Sequence, residues 1–156
     1  MKGKLFFAGV MTAYLAAAPA DPVAWKLNPP AMSVKAGARF TVKLLAEVQE
    51  GWHLCSLKPM AEGPIPTRIW IAEGQPFALA GAIQSPDPQV MQDASFGMEV
   101  ELYEGEAVFT LPVRAAASAA PGAQKLVVSA SYQSCNNKLC LPPKTVKVEA
   151  AITIGK

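Results

Sequence analysis

Two cysteines separated by four residues, in Tyr132-Gln133-Ser134-Cys135-Asn136-Asn137-Lys138-Leu139-Cys140-Leu141-Pro142-Pro143, are the side chains in this sequence best placed to do chemistry. Thiols perform nucleophilic exchange when one is ionised, accessible and opposite a good leaving group. The flanking segments alternate. Leu126, Val128, Ala130 and Tyr132 oppose Val127, Ser129 and Ser131; Val146, Val148, Ala150, Ile152 and Ile154 oppose Thr145, Lys147, Glu149, Ala151 and Thr153. Both stretches read as half-buried strands. Asn136-Asn137 supplies turn chemistry between them, because short Asx side chains tolerate left-handed backbone and bond locally. Cysteines facing each other in a narrow antiparallel pair have Cα atoms about 4.5 Å apart, within the range a disulfide accepts. The ring would be small, and by loop entropy it contributes only about 2 kcal/mol. A bond there is either a modest hairpin staple or a site of exchange.

The elements that position this pair are β-strands. Phe40, Val42, Leu44 and Val48 oppose Thr41, Lys43 and Glu47; Ile69 and Ile71 flank Trp70; Ala107, Phe109, Leu111 and Val113 oppose Val108, Thr110 and Pro112. Turn signals lie between them, as in Asn28-Pro29-Pro30, Gly63-Pro64-Ile65-Pro66, Glu73-Gly74, Ser85-Pro86-Asp87-Pro88, Glu104-Gly105 and Pro121-Gly122. Fourteen prolines disfavour long helices. Seven to nine short strands predict an all-β, immunoglobulin-like two-sheet β-sandwich, without the sequence-distant cysteine pair that staples the sheets of antibody domains. Ala115 to Ala120 reads as a small-residue loop.

The 156 residues, 51% hydrophobic, suffice for one domain with a core. Basic Met1-Lys2-Gly3-Lys4, an apolar run from Leu5 to Ala18 and the small-residue Ala18-Pro19-Ala20 read as a signal peptide over residues 1–20. The domain then covers residues 21–156. Its product is expected to be periplasmic or otherwise exported, soluble after cleavage, in a compartment where disulfides persist. Without Lys2 and Lys4, twelve basic residues face twelve acidic ones. Such a balance gives no electrostatic reason to expect nucleic acid as partner. His53 is the single histidine, which argues against His-triad hydrolysis.

The blocks Gly51-Trp52-His53-Leu54, Gly63-Pro64-Ile65-Pro66-Thr67, Asp93-Ala94-Ser95-Phe96-Gly97, Tyr103-Glu104-Gly105 and Tyr132 through Pro143 resemble, in this order, the N-terminal periplasmic domain of DsbD-type thiol:disulfide interchange proteins. The resemblance implies a sandwich whose one reactive pair is Cys135 and Cys140. Cys140 would engage a partner in a mixed disulfide and Cys135 would resolve it. Asp93 through Gly97 would form a cap loop over the pair, with Asp93, Phe96, Trp52 and Cys55 as cap or surroundings and Leu141, Pro142 and Pro143 shaping the hairpin. Two positions depart from the pattern: Cys55 stands where an aromatic residue is common, and Ser95 where the cap often has Phe. Electrons would come from a membrane electron carrier or thioredoxin-like domain, supplied in trans because the sequence ends at Lys156, and pass to oxidised client proteins without a cofactor. Lys138 would favour a thiolate and Asp93 oppose it.

Two other readings stand beside this one. His53, Cys55, Cys135 and Cys140 make a Cys₃His set suited to zinc, and Met60, Met91 and Met98 could favour Cu(I). Alternatively the sandwich is an inert module that binds a protein through a sheet edge, with a structural disulfide and with Trp52 and Trp70 as surface anchors; against that anchor role, both tryptophans are expected to pack in the core between the sheets. Cys55 is expected to be a buried free thiol.

Overall fold

A computed structural model describes residues 20–94 and 96–156; the leader expected over residues 1–20, apart from Ala20, and Ser95 of the expected cap loop lie outside the described residues. Among the described residues there is no helix, and eleven strands form three antiparallel sheets. The first contains β1 (Val23–Asn28), β2 (Arg39–Val48), β8 (Glu106–Ala115) and β5 (Phe77–Leu79), in the order β1-β2-β8-β5. The second pairs β9 (Gly122–Tyr132) with β11 (Lys144–Ile154) on one side and β4 (Arg68–Trp70) on the other. These two sheets are the faces of the sandwich.

Alternation explains why they close on each other. The β2–β8 register sets Val42 opposite Leu111, Leu44 opposite Phe109 and Ala46 opposite Ala107, and all six are buried. Because side chains alternate with period two, one register choice places every apolar residue of both strands inward. Leu126, Val128 and Ala130 of β9 meet them from the other sheet, with Ile152 and Ile154 of β11. Trp25 of β1 bridges the layers, with ring centroids 6.1 Å from Phe109 and 5.2 Å from Tyr132. Truncating a core ring such as Phe109 to alanine costs about 3 to 5 kcal/mol.

A third sheet was not anticipated from the sequence. It has the order β10-β3-β7-β6, with β10 (Ser134–Cys135), β3 (His53–Cys55), β7 (Met98–Tyr103) and β6 (Gln89–Asp93). Its strands β10 and β3, of two and three residues, are too short to show a period. One face belongs to the main core, since the paired residues Leu54 and Tyr103 join the hydrophobic cluster. The opposite face presents His53 and Cys55. Trp52 packs against the main core as expected, whereas Trp70, expected inside, is 38% exposed because Ile69 takes the inward position of β4.

Candidate functional site: a disulfide hairpin on the third sheet

The β9–β11 ribbon ends where Tyr132 pairs with Lys144, and residues 133–143 leave it. The departing chain forms a small hairpin that joins the third sheet through Ser134 opposite Leu54 and Cys135 opposite His53. Within the hairpin, Asn136 N–H donates to the Leu139 carbonyl at 2.9 Å and Leu141 N–H to the Ser134 carbonyl at 2.9 Å. These bonds flank Cys135 and Cys140 and make them a narrow, non-hydrogen-bonded pair. Their Cα atoms are 4.0 Å apart and their sulfurs are bonded. The Asn136 Oδ1 accepts the N–H groups of Lys138 and Leu139, both at 2.9 Å, which is the Asx turn chemistry the sequence supplies.

The two sulfurs have different surroundings. Cys135 is 1% exposed, whereas Cys140 is half-buried at the outer edge of the sheet, beside the exposed Leu139. An external thiolate therefore has better access to Cys140. Lys138 is exposed at the turn.

Gln133 ties this hairpin to its neighbours. Its Oε1 accepts the Ile65 N–H at 3.1 Å, its Nε2 donates to the Leu141 carbonyl at 3.1 Å, and its own carbonyl accepts the Cys55 N–H at 3.4 Å. The Gly63-Pro64-Ile65-Pro66 segment is thereby held beside the disulfide hairpin. At the ribbon's end, Asp21 accepts from the Tyr132 hydroxyl, from Lys144 Nζ at 2.8 Å and from Val23 N–H at 3.1 Å. Burial alone would raise the Asp21 carboxyl, but the bonds from Lys144, Tyr132 and Val23 hold it below its ordinary value.

The expected cap, Asp93 through Gly97, falls at the turn of the β6–β7 hairpin. In its turn, Asp93 Oδ1 accepts the Phe96 N–H at 3.1 Å and the Asp93 carbonyl accepts the Gly97 N–H at 2.8 Å, with Gly97 at a φ of 65°. Asp93 pairs with Met98, six residues along β7 from the row beside His53. On a flat ladder that offset is about 20 Å. Yet His53, Met91, Asp93, Ala94, Asn136 and Asn137 line one cleft of about 210 Å³. The cap hairpin therefore curls back over the face that carries His53 and Cys55.

This geometry brings Asp93, Asn136 and Asn137 together over His53, with Cys135 beside it. Phe96 sits in the cap turn, and Trp52 belongs to the sandwich core rather than to the cleft lining. Cys55 is 3% exposed and shares the face of His53, on which Cys135 also lies. Burial, aided by the charge of Asp93, pushes its thiol up to about 12. Cys55 stands diagonal to Cys135 across the ladder, about 7 to 8 Å away, which is too far to bond without backbone movement. The Cys₃His set is not assembled as a cage: Cys135 and Cys140 are bonded to each other, and among the described residues no three His, Cys, Asp or Glu side chains are grouped to hold an ion. Met60 and Met98 abut Gly63, while Met91 lines the cleft. A larger groove of about 630 Å³ lies along β4 between Leu57, Trp70 and Ile83, apart from the disulfide.

Sequence reasoning missed the roles of Gln133 and Asp21 and the pairing of His53 with Cys135. Gln133 lay in the matched block, but nothing in its position reveals that its amide spans two segments 68 and 8 residues away.

An immunoglobulin-like sandwich with a local disulfide hairpin docked on a third sheet is the class of domain this chain forms. Residues 25–152 match the family described as thiol:disulfide interchange protein DsbD, N-terminal, and the chain belongs to that family. Among solved structures, the N-terminal periplasmic domain of ScsB from Proteus mirabilis aligns with a TM-score of 0.52 and 16% identity, over 81% of this chain and 44% of that one. The DsbD N-terminal domain of Neisseria meningitidis, in its reduced form, aligns with a TM-score of 0.49 and 20% identity, over 78% and 82%. At 16% identity the likeness to the ScsB domain speaks for the fold alone. No curated protein sequence matches the chain. Among the described residues, no helix is long and apolar enough to cross a membrane.

Proposed function

We propose that this chain is an exported thiol:disulfide exchange domain whose working pair is Cys135 and Cys140, following cleavage of a leader over residues 1–20. The observation that carries the reading is the unequal exposure of the two bonded cysteines, with Cys140 half-buried and Cys135 at 1%. A donor dithiol, on a thioredoxin-like domain or a membrane electron carrier, attacks Cys140 as its thiolate. The Cys135–Cys140 bond breaks, a donor–Cys140 disulfide forms, and Cys135 leaves with the electron pair. The donor's second thiolate then attacks the donor sulfur and releases Cys140. The domain has gained two electrons and two protons, and the donor has become a disulfide.

Delivery to an oxidised client outside the cytoplasm runs the same steps in reverse. Cys140 attacks the client disulfide, and Cys135 then attacks Cys140 and frees the reduced client. The sulfurs need no cofactor for this exchange. Asp93 and Phe96 shape the cap that limits access to the pair. Exposed Leu139 and Ile65, near the hairpin, offer apolar contact to a docking thioredoxin-like surface.

The test is reduction by a thioredoxin-like dithiol protein, followed by thiol counting. The wild type should be reduced at catalytic rates; offered the same partner in its oxidised, disulfide form instead, Cys135→Ser should form a mixed disulfide through Cys140 as one partner thiolate leaves, and Cys140→Ser should form none. Reduction no faster than that of a free disulfide peptide would overturn the reading in favour of a structural bond.

A further inference from the structure

The chain's one imidazole stands next to the less accessible sulfur of the pair. His53 on β3 is the register partner of Cys135 on β10, and Cys135 in turn bridges to Cys140. The three residues form one row across the ladder, in the order His53, Cys135, Cys140. Directly opposed residues in an antiparallel pair point to the same face, with Cβ atoms about 4.5 to 5.5 Å apart. The Cys135 sulfur and the imidazole are thus neighbours. Both are sequestered, at 1% and 4% exposure. His53 also lines the cap cleft with Asp93, Asn136 and Asn137, so the ring touches both the buried sulfur's surroundings and a path to solvent.

The exchange cycle poses a proton problem at this sulfur. Cys140 can trade protons with water at the sheet edge. Cys135 cannot do so directly, yet it must lose a proton before it attacks Cys140 and regain one after it leaves. A buried thiolate without a partner is costly. Among the groups near it, Cys55 is held as a neutral thiol, and the charge of Lys138 is exposed at the turn.

We propose that His53 is the acid-base partner of Cys135, accepting its proton in the step that releases a client and returning one when Cys135 is the leaving group. The inference rests on the exchange reading above. In the release step, the imidazole takes the Cys135 proton and the thiolate attacks the Cys140 sulfur. The Cys135–Cys140 bond forms, the Cys140–client bond breaks, and the client departs as a thiolate with the electron pair. The imidazolium then passes its proton to water through the cleft. In the opposite direction Cys135 leaves as a thiolate and is protonated by the same ring.

The charges facing His53 tune this role. Burial lowers its pKa, while Asp93 of the cap hairpin and Glu104 after β7 pull it back up, and the net result is lowered. Cys55, the titratable group on its own strand, is neutral and adds no charge. The imidazole is accordingly neutral near pH 7 and can accept a proton, and the cap carboxylate supports the imidazolium once it forms.

A two-phase thiol reaction tests this in the full domain carrying Cys55→Ala. Reduced protein mixed with an aromatic disulfide reagent, dithionitrobenzoate, releases one thionitrobenzoate in a concentration-dependent step as Cys140 reacts. It releases a second in a unimolecular step as Cys135 resolves the mixed disulfide. With His53 in place the second step should rise with pH through an inflection below about 6.5 and then level. His53→Gln should slow that step about 100-fold at pH 7 and abolish the inflection, leaving the first step within about twofold. Imidazole added to His53→Ala should restore part of the second step.

An unchanged second-step pH profile in His53→Gln would overturn the assignment, as would equal slowing of both steps without imidazole rescue. Absence of any unimolecular second release in the domain that retains His53 would instead sink the exchange reading itself. His53→Asn gives the same comparison should the glutamine variant unfold.

Discussion

Asp21 and Lys144 form a 2.8 Å ion pair at the last rung of the β9–β11 ribbon, where Lys144 pairs with Tyr132 and the disulfide hairpin departs. The Tyr132 hydroxyl donates to the same carboxylate, so one acidic residue near the start of the domain fixes both edges of the hairpin's base.

Asp21→Asn should therefore destabilise the domain by about 1 to 2 kcal/mol near neutral pH, read by urea unfolding. The folded carboxyl is depressed below 3.8, so this contribution is present above the unfolded pKa and disappears as pH falls through the folded value. Wild type and variant should converge in strong acid. A gap that stays constant down to about pH 2 would mean the carboxylate is not the stabilising group.

Cys55 should resist modification. With its thiol pushed up to about 12 and only 3% exposed, it should take up iodoacetamide at pH 8 only as fast as the domain opens. Mass spectrometry of the oxidised protein should show one adduct after unfolding and almost none before. Because the folded pKa is raised, its stability contribution is complete below the unfolded value near 9.0 and is lost as pH climbs toward the folded one. Cys55→Ala should flatten that alkaline decline.

Gln133→Ala removes both amide contacts that couple residues 63–66 to the hairpin. The Ile65 amide should exchange hydrogen faster, and stability should fall by about 1 to 2 kcal/mol. Gln133→Glu keeps the acceptor for Ile65 but loses the donor to Leu141. Ile65 protection should survive in that variant while the hairpin loosens. Equal loss of protection in both variants would contradict this division of roles.

Gly97 holds a φ of 65° in the cap turn, and an added Cβ would meet nothing within 4 Å. The cost of Gly97→Ala is then purely conformational, about 1 kcal/mol, and should appear as faster opening of the cap rather than as a disturbed core. A D-alanine at this position, introduced by chemical ligation, should be neutral. If both alanines destabilise alike, the turn tolerates no side chain at all and the open space around Gly97 is misassigned.

Much of this protein was written locally. The alternation of Val42, Leu44 and Ala46 against Lys43 and Glu47, and of Leu111, Phe109 and Ala107 against Thr110 and Val108, dictates strands, and their registers follow from burying one face of each. The Cys135 to Cys140 spacing with Asn136 between them is likewise enough for a narrow pair closed by an Asx turn. These features depend on residues within a few positions of one another, so short-range sterics and period-two patterning decide them.

What the tertiary structure alone decided depends on residues far apart in the chain. Strands of two and three residues, such as β10 and β3, have no period to read, and only their docking shows that the hairpin leaves its ribbon to join a third sheet. That docking sets His53 opposite Cys135, carries one end of the Gln133 amide to Ile65, and leaves Cys140 the more exposed cysteine of the pair. The curl of the cap and the exposure of Trp70 have the same origin. Contacts between segments tens of residues apart form only when whole sheets pack, and no local propensity encodes them.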